Sequence, residues 1–487
     1  MQLRGCRRGL QTVKVQRRAQ RMPELHPGGD FYYGDRHQLT VLVAFSDRTF
    51  KGDEAATVEQ WDKIFNAENY AEDKFVGSVH DYFHDQSLGK LNVIFDLQYV
   101  ALDEEHAKYR STSSDDENSQ FLVQDVMAVL KTRDIDWSLY DWNGNGYVNQ
   151  LLIIFAGKGS GYGGFGGGND AIWPHQYWLS WHVNPETQEN CEPITLTYDD
   201  KQYTVDSYCA LQELDSSGGY GSFGTICHEY THCFGFPDFY NERSYLRSWE
   251  LMDSGNYNGG GYTPCNYSAH ERWLMGWLTL EELTETTAVT QMPSLSDCSA
   301  YSSPLAYLIR NDGYENEYYI VENRQQTGWD SMLPGSGLVV FHIDYNPTCW
   351  IEEYPNSKDC QRYYIIPANN KTYYTYSDGW PYPYQGDEKF NDQLTNTSEP
   401  AATLLHANAD GTMLMSKSLT GISVTDGLAS FEFTKGDVTG ITEKNALSSA
   451  QSVYDLHGRY LGAEVSTLPR GFYVIRSKDG TRKIVRQ

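Results

Sequence analysis

The stretch CHEYTHCFGFPDFY, residues 227–240, crowds His228, Glu229, His232 and Asp238 together, with Gly235 between them. On an α-helix, residues four apart lie one turn above each other, so His228 and His232 are spaced to aim ring nitrogens at one ion. Glu229 falls about 100° round the helix from His228, within reach of a water on that ion without being a ligand, which is where a general base belongs. Gly235 suits a positive φ that ends the helix, and Pro237 keeps it ended. The returning chain then brings Asp238 to the same ion as a third ligand. Three protein ligands and a water make an open, catalytic zinc site. Glu242 and Glu250 are the next acids downstream that could replace Asp238 in that role. SWELMDSGNY follows at 248–257, with Met252 placed to form a turn beneath the metal. Cys227 and Cys233 diverge from the histidines by helical angle and read as packing thiols.

The elements that must position these groups are legible in outline. HQLTVLVAF (37–45) is a β-branched apolar run fit for a buried strand, and 77–102 reads as a helix ended near Gly89 and then a strand. Residues 120–132 have helical periodicity, and YVNQLLIIFAG (147–157) is a further buried strand. The expected order to residue 157 is strand, helix, strand, helix, strand, an α/β beginning. The glycine-rich run that follows lacks a GK[ST] and a strand-GxGxxG-helix order, so it predicts a surface loop in preference to a phosphate cradle. From about 280, short aromatic and β-branched runs parted by Gly, Pro, Asn and Asp predict a β-rich region. Beyond about 436 the chain is polar and small, then gives strand pairs with turns at His457-Gly458 and Asp479-Gly480. The expected organisation is a basic N-terminal tail or pro-region remnant (1–29), a catalytic domain (30–280), a β-rich domain packed on it (281–436) and a small C-terminal β module (437–487).

With 487 residues, 14% aromatics, including 37 Tyr, and 21% charged residues, the composition is that of a folded protein with a large core. A formal net charge of -27 argues against a nucleic-acid partner and suits acidic loops that hold hard cations. No apolar run is long enough to span a membrane, and no signal-peptide core is visible near the basic start. Nine scattered cysteines without a CxxC pair suggest neither a zinc ribbon nor a disulfide scaffold; a Cys349–Cys360 bridge is conceivable, buried thiols the plainer reading. His175 and His342 have no neighbour in sequence that sets a role and read as packing histidines.

A second cation loop is suggested by DWNGNGYVN (141–149). Asp141, Asn143, Asn145, the Tyr147 carbonyl and Asn149 occupy the first ligand positions of an EF-hand-like calcium loop, with Gly146 at the sixth. The twelfth position is Leu152 where a bidentate Glu is wanted, so calcium binding should be weak; the plain alternative is an Asn-Gly turn.

HEYTHCFGFPD, WELMDSGNY and SAHERWLMGWL (268–278), together with GSVHDYFHDQSLGKL, YDWNGNGYVNQLLIIFAGKGSG, AIWPHQ and YYIVENRQQTGWDSMLPGSGLVVFHID, resemble the immune inhibitor A family of secreted zinc metallopeptidases, whose metal motif is HExxHxxGxxD. The resemblance covers roughly 38–435. Residue by residue it implies His228, His232 and Asp238 as zinc ligands, Glu229 as base, a zincin or metzincin-like catalytic fold, and calcium as a second cation. The segment from Val453 is similar to C-terminal sorting tails of the type IX secretion system of Gram-negative bacteria, which implies a secreted or cell-surface protein. The expected function is zinc-dependent endopeptidase action on protein or peptide substrates. The alternatives are a catalytically silent, calcium-dependent surface-binding protein that keeps the fold, and a zinc hydrolase of non-peptide substrates.

Overall fold

The computed structural model describes residues 32–436 except 111–117, 161–171, 185–186, 222, 241–245, 298–302, 352–354, 358–360 and 388. In the C-terminal stretch it describes the strands Ser452–Tyr454, Tyr460–Gly462, Gly471–Ser477 and Gly480–Arg486. The basic N-terminal tail, most of the glycine-rich run and Glu242 lie outside the described residues.

The first half is built on a five-stranded sheet in the order β2-β1-β3-β7-β4. Its strands are β1 (Gly34–Ala44), β2 (Leu91–Ala101), β3 (Leu151–Lys158), β4 (His175–Trp178) and β7 (Ser207–Leu214), and β5 (Ile194–Tyr198) pairs with β6 (Lys201–Val205) in a separate hairpin. β2, β1, β3 and β7 run parallel, and β4 closes the edge antiparallel to β7. Both faces are covered, which is why β1 is an uninterrupted apolar run: Leu42 and Ala44 enter one core and Leu39, Val41 and Val43 the other.

Helices α1 (Glu54–Asn66), α2 (Val79–Gln86) and α4 (Phe223–Thr231) contribute to the first core, and α3 (Ser119–Leu130) packs its Leu122, Val126 and Leu130 into the second. α2 starts where the sequence suggests, with a capping box in which Ser78 Oγ accepts from Asp81 N and Asp81 Oδ2 accepts from Ser78 N. Between β1 and β2 the structure has two helices where the sequence suggests one. α1 is the extra one; its buried Thr57, Trp61, Ile64 and Phe65 follow an i, i+4, i+7, i+8 stripe diluted by five acidic or amide side chains. The expected strand over 147–157 begins only at Leu151, because Gly146 and Val148 pair with Thr204 on β6 instead.

The β-rich region follows as β8 (Glu281–Glu282), β9 (Thr287–Met292), β10 (Ala306–Asn311), β11 (Tyr314–Arg324), β12 (Gly337–Asp344) and β13 (Tyr363–Ile365), with one sheet in the order β13-β12-β11-β10-β8. One face of this sheet, through Tyr318, Ile320, Phe341 and Ile343, shares the core that contains α4. The other face packs with the three-stranded sheet of β9, Lys417–Thr425 and Leu428–Lys435. In the C-terminal stretch Gly471–Ser477 pairs antiparallel with Gly480–Arg486, and the turn expected at His457-Gly458, like Asp479, lies outside the described residues. Cys349 is a free, buried thiol, and Cys360 lies outside the described residues. Among the described residues no helix is long and apolar enough to cross a membrane.

Candidate metal centre

α4 is the element that carries His228 and Glu229, and its position depends on one close approach. A Cβ on Gly224 would sit 1.9 Å from the Asn256 carbonyl oxygen, so the turn after Met252 packs directly on the helix only because that residue is glycine. His232 opens a single 3-10 turn, and Gly235 closes it at φ +95°, the left-handed conformation the sequence suggests.

Among the described residues, His228, His232 and Asp238 form the one group of three His, Cys, Asp or Glu side chains whose ligand atoms all lie within 4.8 Å of one another. Asp238 Oδ1 is 3.1 Å from His228 Nε2 and 3.5 Å from His232 Nε2. The other ring nitrogens are tied to the main chain: His228 Nδ1 to Leu251 O at 2.9 Å and His232 Nδ1 to Phe236 O at 2.7 Å. A carbonyl can only accept, so both rings carry a proton on Nδ1, which leaves Nε2, the atom facing Asp238, to ligate an ion once its own proton is displaced. Two imidazole nitrogens and one carboxylate oxygen are a donor set suited to zinc.

The electrostatics point the same way. Burial works against a charged His228, yet the carboxylates of Asp238 and Glu229 outweigh it and raise the imidazole to about 9. Burial likewise opposes charge on His232, and Asp238 and Glu229 again raise it. Burial alone would raise Asp238, but the two imidazoles hold it well below the usual carboxylate range. Without a cation the site therefore gathers protons, which a divalent ion would displace.

Glu229 Oε2 lies 3.9 Å from His232 Nε2 and accepts a hydrogen bond from Gln176 N at 2.8 Å, so the edge strand β4 orients it. His228 and Glu229 line a cleft of about 360 Å³, which also takes in Trp173, Tyr240 and Tyr257. Tyr240 stacks on His228 with ring centroids 6.4 Å apart. The charge of Asp238, with burial, raises its phenol far above the ordinary value, and burial with the charges of Glu229 and Asp238 raises Tyr257.

Met252 is fully buried in the turn behind the site, and its carbonyl accepts from Phe239 N at 2.9 Å. Glu250 is buried against Glu271, away from the three ligand candidates; burial and the Glu271 charge push it well above the usual carboxylate range. Cys227 and Cys233 stand outside the ligand group, the first fully buried. The anchors Leu251 O, Phe236 O and Gln176 N were invisible in the sequence because main-chain groups leave no residue-type signal. Tyr240, two residues past Asp238, was there to be noticed.

In the 141–149 loop, Asp141 Oδ1 and Asn143 Oδ1 accept from Asn145 N, Asp141 Oδ2 from Gly146 N, and Asn145 Oδ1 from Tyr147 N. These three side chains are thus gathered on one turn. Tyr147 is partly exposed, and Asn149 sits past the turn with its N–H on Tyr140 O and its side-chain Nδ2 buried. His175 and His342 are both hydrogen-bonded, to Tyr208 and Trp173 O and to Glu317 and Tyr364.

The family model described as the immune inhibitor A peptidase M6 catalytic domain matches residues 33–278, just over half of the chain. The chain belongs to that family. The matched segment contains α4, Asp238, Met252 and the 141–149 loop. The chain is similar to the pre-pro-metalloprotease PrtV of Vibrio cholerae, with 28% identity over 202 residues covering 35% of this chain and 21% of that protein. It is also similar to Immune inhibitor A of Bacillus thuringiensis subsp. alesti, with 26% identity over 285 residues covering 50% of this chain and 40% of that protein. These alignments thus span from a fifth to two fifths of the length of those relatives.

Proposed function

We propose that the protein is a secreted zinc-dependent endopeptidase in which His228, His232 and Asp238 hold the metal and Glu229 is the general base. The observation that carries this reading is the convergence of His228 Nε2, His232 Nε2 and Asp238 Oδ1 within 4.8 Å, beside a cleft that also exposes Glu229. Zinc bound there would supply Lewis-acid polarisation of a scissile carbonyl and lower the pKa of a water to about 7. Glu229, oriented by the Gln176 N–H, takes the proton of the attacking water and delivers it to the departing amine nitrogen. Leu251 O and Phe236 O keep both imidazoles in the tautomer that presents Nε2. Trp173, Tyr240 and Tyr257 give the cleft an aromatic wall on which a polypeptide can lie, and the phenols, held protonated, remain hydrogen-bond donors to it. A metal-binding protein without catalysis would have no use for an oriented carboxylate beside the ligands, which favours the enzyme over the silent binding protein. The gathered oxygens of Asp141, Asn143 and Asn145 support a weak calcium site in the same protein, and the C-terminal strand pairs support a small module concerned with export or anchoring.

Incubating the purified protein with casein, with and without a chelator and then with zinc restored, tests the reading. Chelator-sensitive cleavage recovered by zinc is expected; cleavage indifferent to the chelator, or none with zinc bound, would overturn it.

A further inference from the structure

Asp238 belongs to no helix or strand, so its place beside the two histidines depends on what holds the residues around it. The next residue, Phe239, is fully buried and held from several sides. Its N–H donates to Met252 O at 2.9 Å, and its ring meets the Tyr363 ring edge-on with centroids 4.8 Å apart. Its carbonyl accepts from Asn356 Nδ2 at 3.1 Å, a contact 117 residues away in sequence. Asn356 and Tyr363 lie beyond residue 278, where the family match ends.

Asn356 is built for this reach. It is buried, and its Oδ1 accepts from Arg362 N at 3.0 Å and from Tyr363 N at 2.9 Å, which locks the side chain against the main chain that enters β13. Its Nδ2 donates to Tyr363 O at 2.8 Å, and the remaining donor reaches across to Phe239 O. Loss of that donor leaves a buried carbonyl without its partner one residue from Asp238, and relief requires the Asp238 segment to move.

We infer that Asn356 of the β-rich region is a positioning residue for the third metal ligand, acting on Asp238 through the Phe239 backbone. The inference rests on the zinc reading above. Asn356 touches neither the metal ligands nor the cleft, so its effect falls on metal affinity.

The test is isosteric. Asn356→Asp keeps the oxygen that accepts from Arg362 N and Tyr363 N but removes both Nδ2 donors, the one to Tyr363 O and the one to Phe239 O. Asn391→Asp makes the same change at another buried asparagine of the β-rich region, whose Nδ2 donates to Ala368 O at 2.8 Å. Zinc dissociation constants of the full chain are measured by competition with a chromophoric chelator, alongside the melting temperature of the metal-free protein. Asn356→Asp is expected to weaken zinc binding about 10-fold, the low end of what losing a ligand's own hydrogen-bond partner costs, while Asn391→Asp loses stability with zinc affinity unchanged. Equal zinc affinity in Asn356→Asp and the unaltered protein, or an equal loss in both variants, overturns the inference. If Asn356→Asp fails to fold, Phe239→Leu, which loosens the contact with Tyr363 from the other side, should weaken zinc binding several-fold, and unaltered affinity there overturns it too. An unaltered protein that takes up no zinc sinks the parent reading instead, so the two failures are distinguishable.

Discussion

The two halves of the proposed metal centre are made in different ways. His228, Glu229 and His232 come from α4 and the turn that continues it, and their side chains are 6%, 14% and 10% exposed. Asp238, on irregular chain, is 36% exposed and depends on Met252 O and Asn356 for its neighbour's place. In the first half, helical periodicity alone brings the groups to one face. In the second, distant segments decide where the side chain sits. Under the proposed function, the helical half sets the chemistry and the loop half is where affinity for the metal is tuned.

The largest expected effect comes from breaking the helical half without touching the ligands. Glu229→Gln preserves the shape and the bond to Gln176 N but removes the proton acceptor, so turnover should fall by about 10²- to 10⁴-fold with the zinc content by elemental analysis unchanged. An active Glu229→Gln enzyme would refute the base assignment. Next come the ligands themselves, compared across the halves. His228→Ala and Asp238→Ala should both lose zinc along with activity, His228→Ala more, because it also opens a cavity in a buried helix face that Asp238→Ala does not. Equal zinc retention in Asp238→Ala and the unaltered protein would mean that the third ligand lies elsewhere.

A smaller effect is expected in the floor the halves share. Glu250 leads into the Met252 turn and is buried against Glu271, with its folded-state pKa raised by burial and by that neighbour's charge. A raised carboxyl contributes stability below its unfolded pKa, about 4.3, and that contribution is lost as pH rises towards the folded value. Glu250→Gln keeps a hydrogen-bond donor towards Glu271 and has no proton to lose. Its urea midpoint should therefore gain on that of the unaltered protein as pH rises from 5 to 8. A gap that stays constant with pH would show that the pair does not hold the proton. The smallest effect lies outside both halves. Calcium at roughly 10⁻⁴ to 10⁻³ M should raise the melting temperature in zinc-replete buffer by a few degrees, and Asp141→Ala should abolish most of that response. No response to calcium would leave 141–149 as a turn alone.

How far the sequence could be read follows the same division. The apolar runs at 37–45 and 147–157 gave buried strands, the second starting four residues late at Leu151, because a parallel sheet covered on both faces needs unbroken hydrophobicity, and Gly89 marked the end of the helical stretch that holds α2. α1 escaped notice because its stripe of Thr57, Trp61, Ile64 and Phe65 is sparse, and its burial depends on strands that follow it in sequence. The turn at 141–147 was readable since Asp and Asn side chains bond to amides two to five residues on.

By itself the sequence determined the groups four apart along α4 and the turn that continues it, the glycine that closes that turn and the presence of an acid three residues beyond, because these depend on backbone periodicity and conformational preference within one short stretch. Only the tertiary structure decided that Leu251 O and Phe236 O set the ring tautomers, that Gln176 N orients Glu229, that Glu250 faces Glu271 and not the ligands, and that Asn356 holds the segment of Asp238. Apart from the Phe236 carbonyl, which follows His232 in the same turn, these are contacts between segments far apart in the chain. Most are made by main-chain atoms that every residue type carries alike, so their pairing is fixed by how the sheets and helices pack.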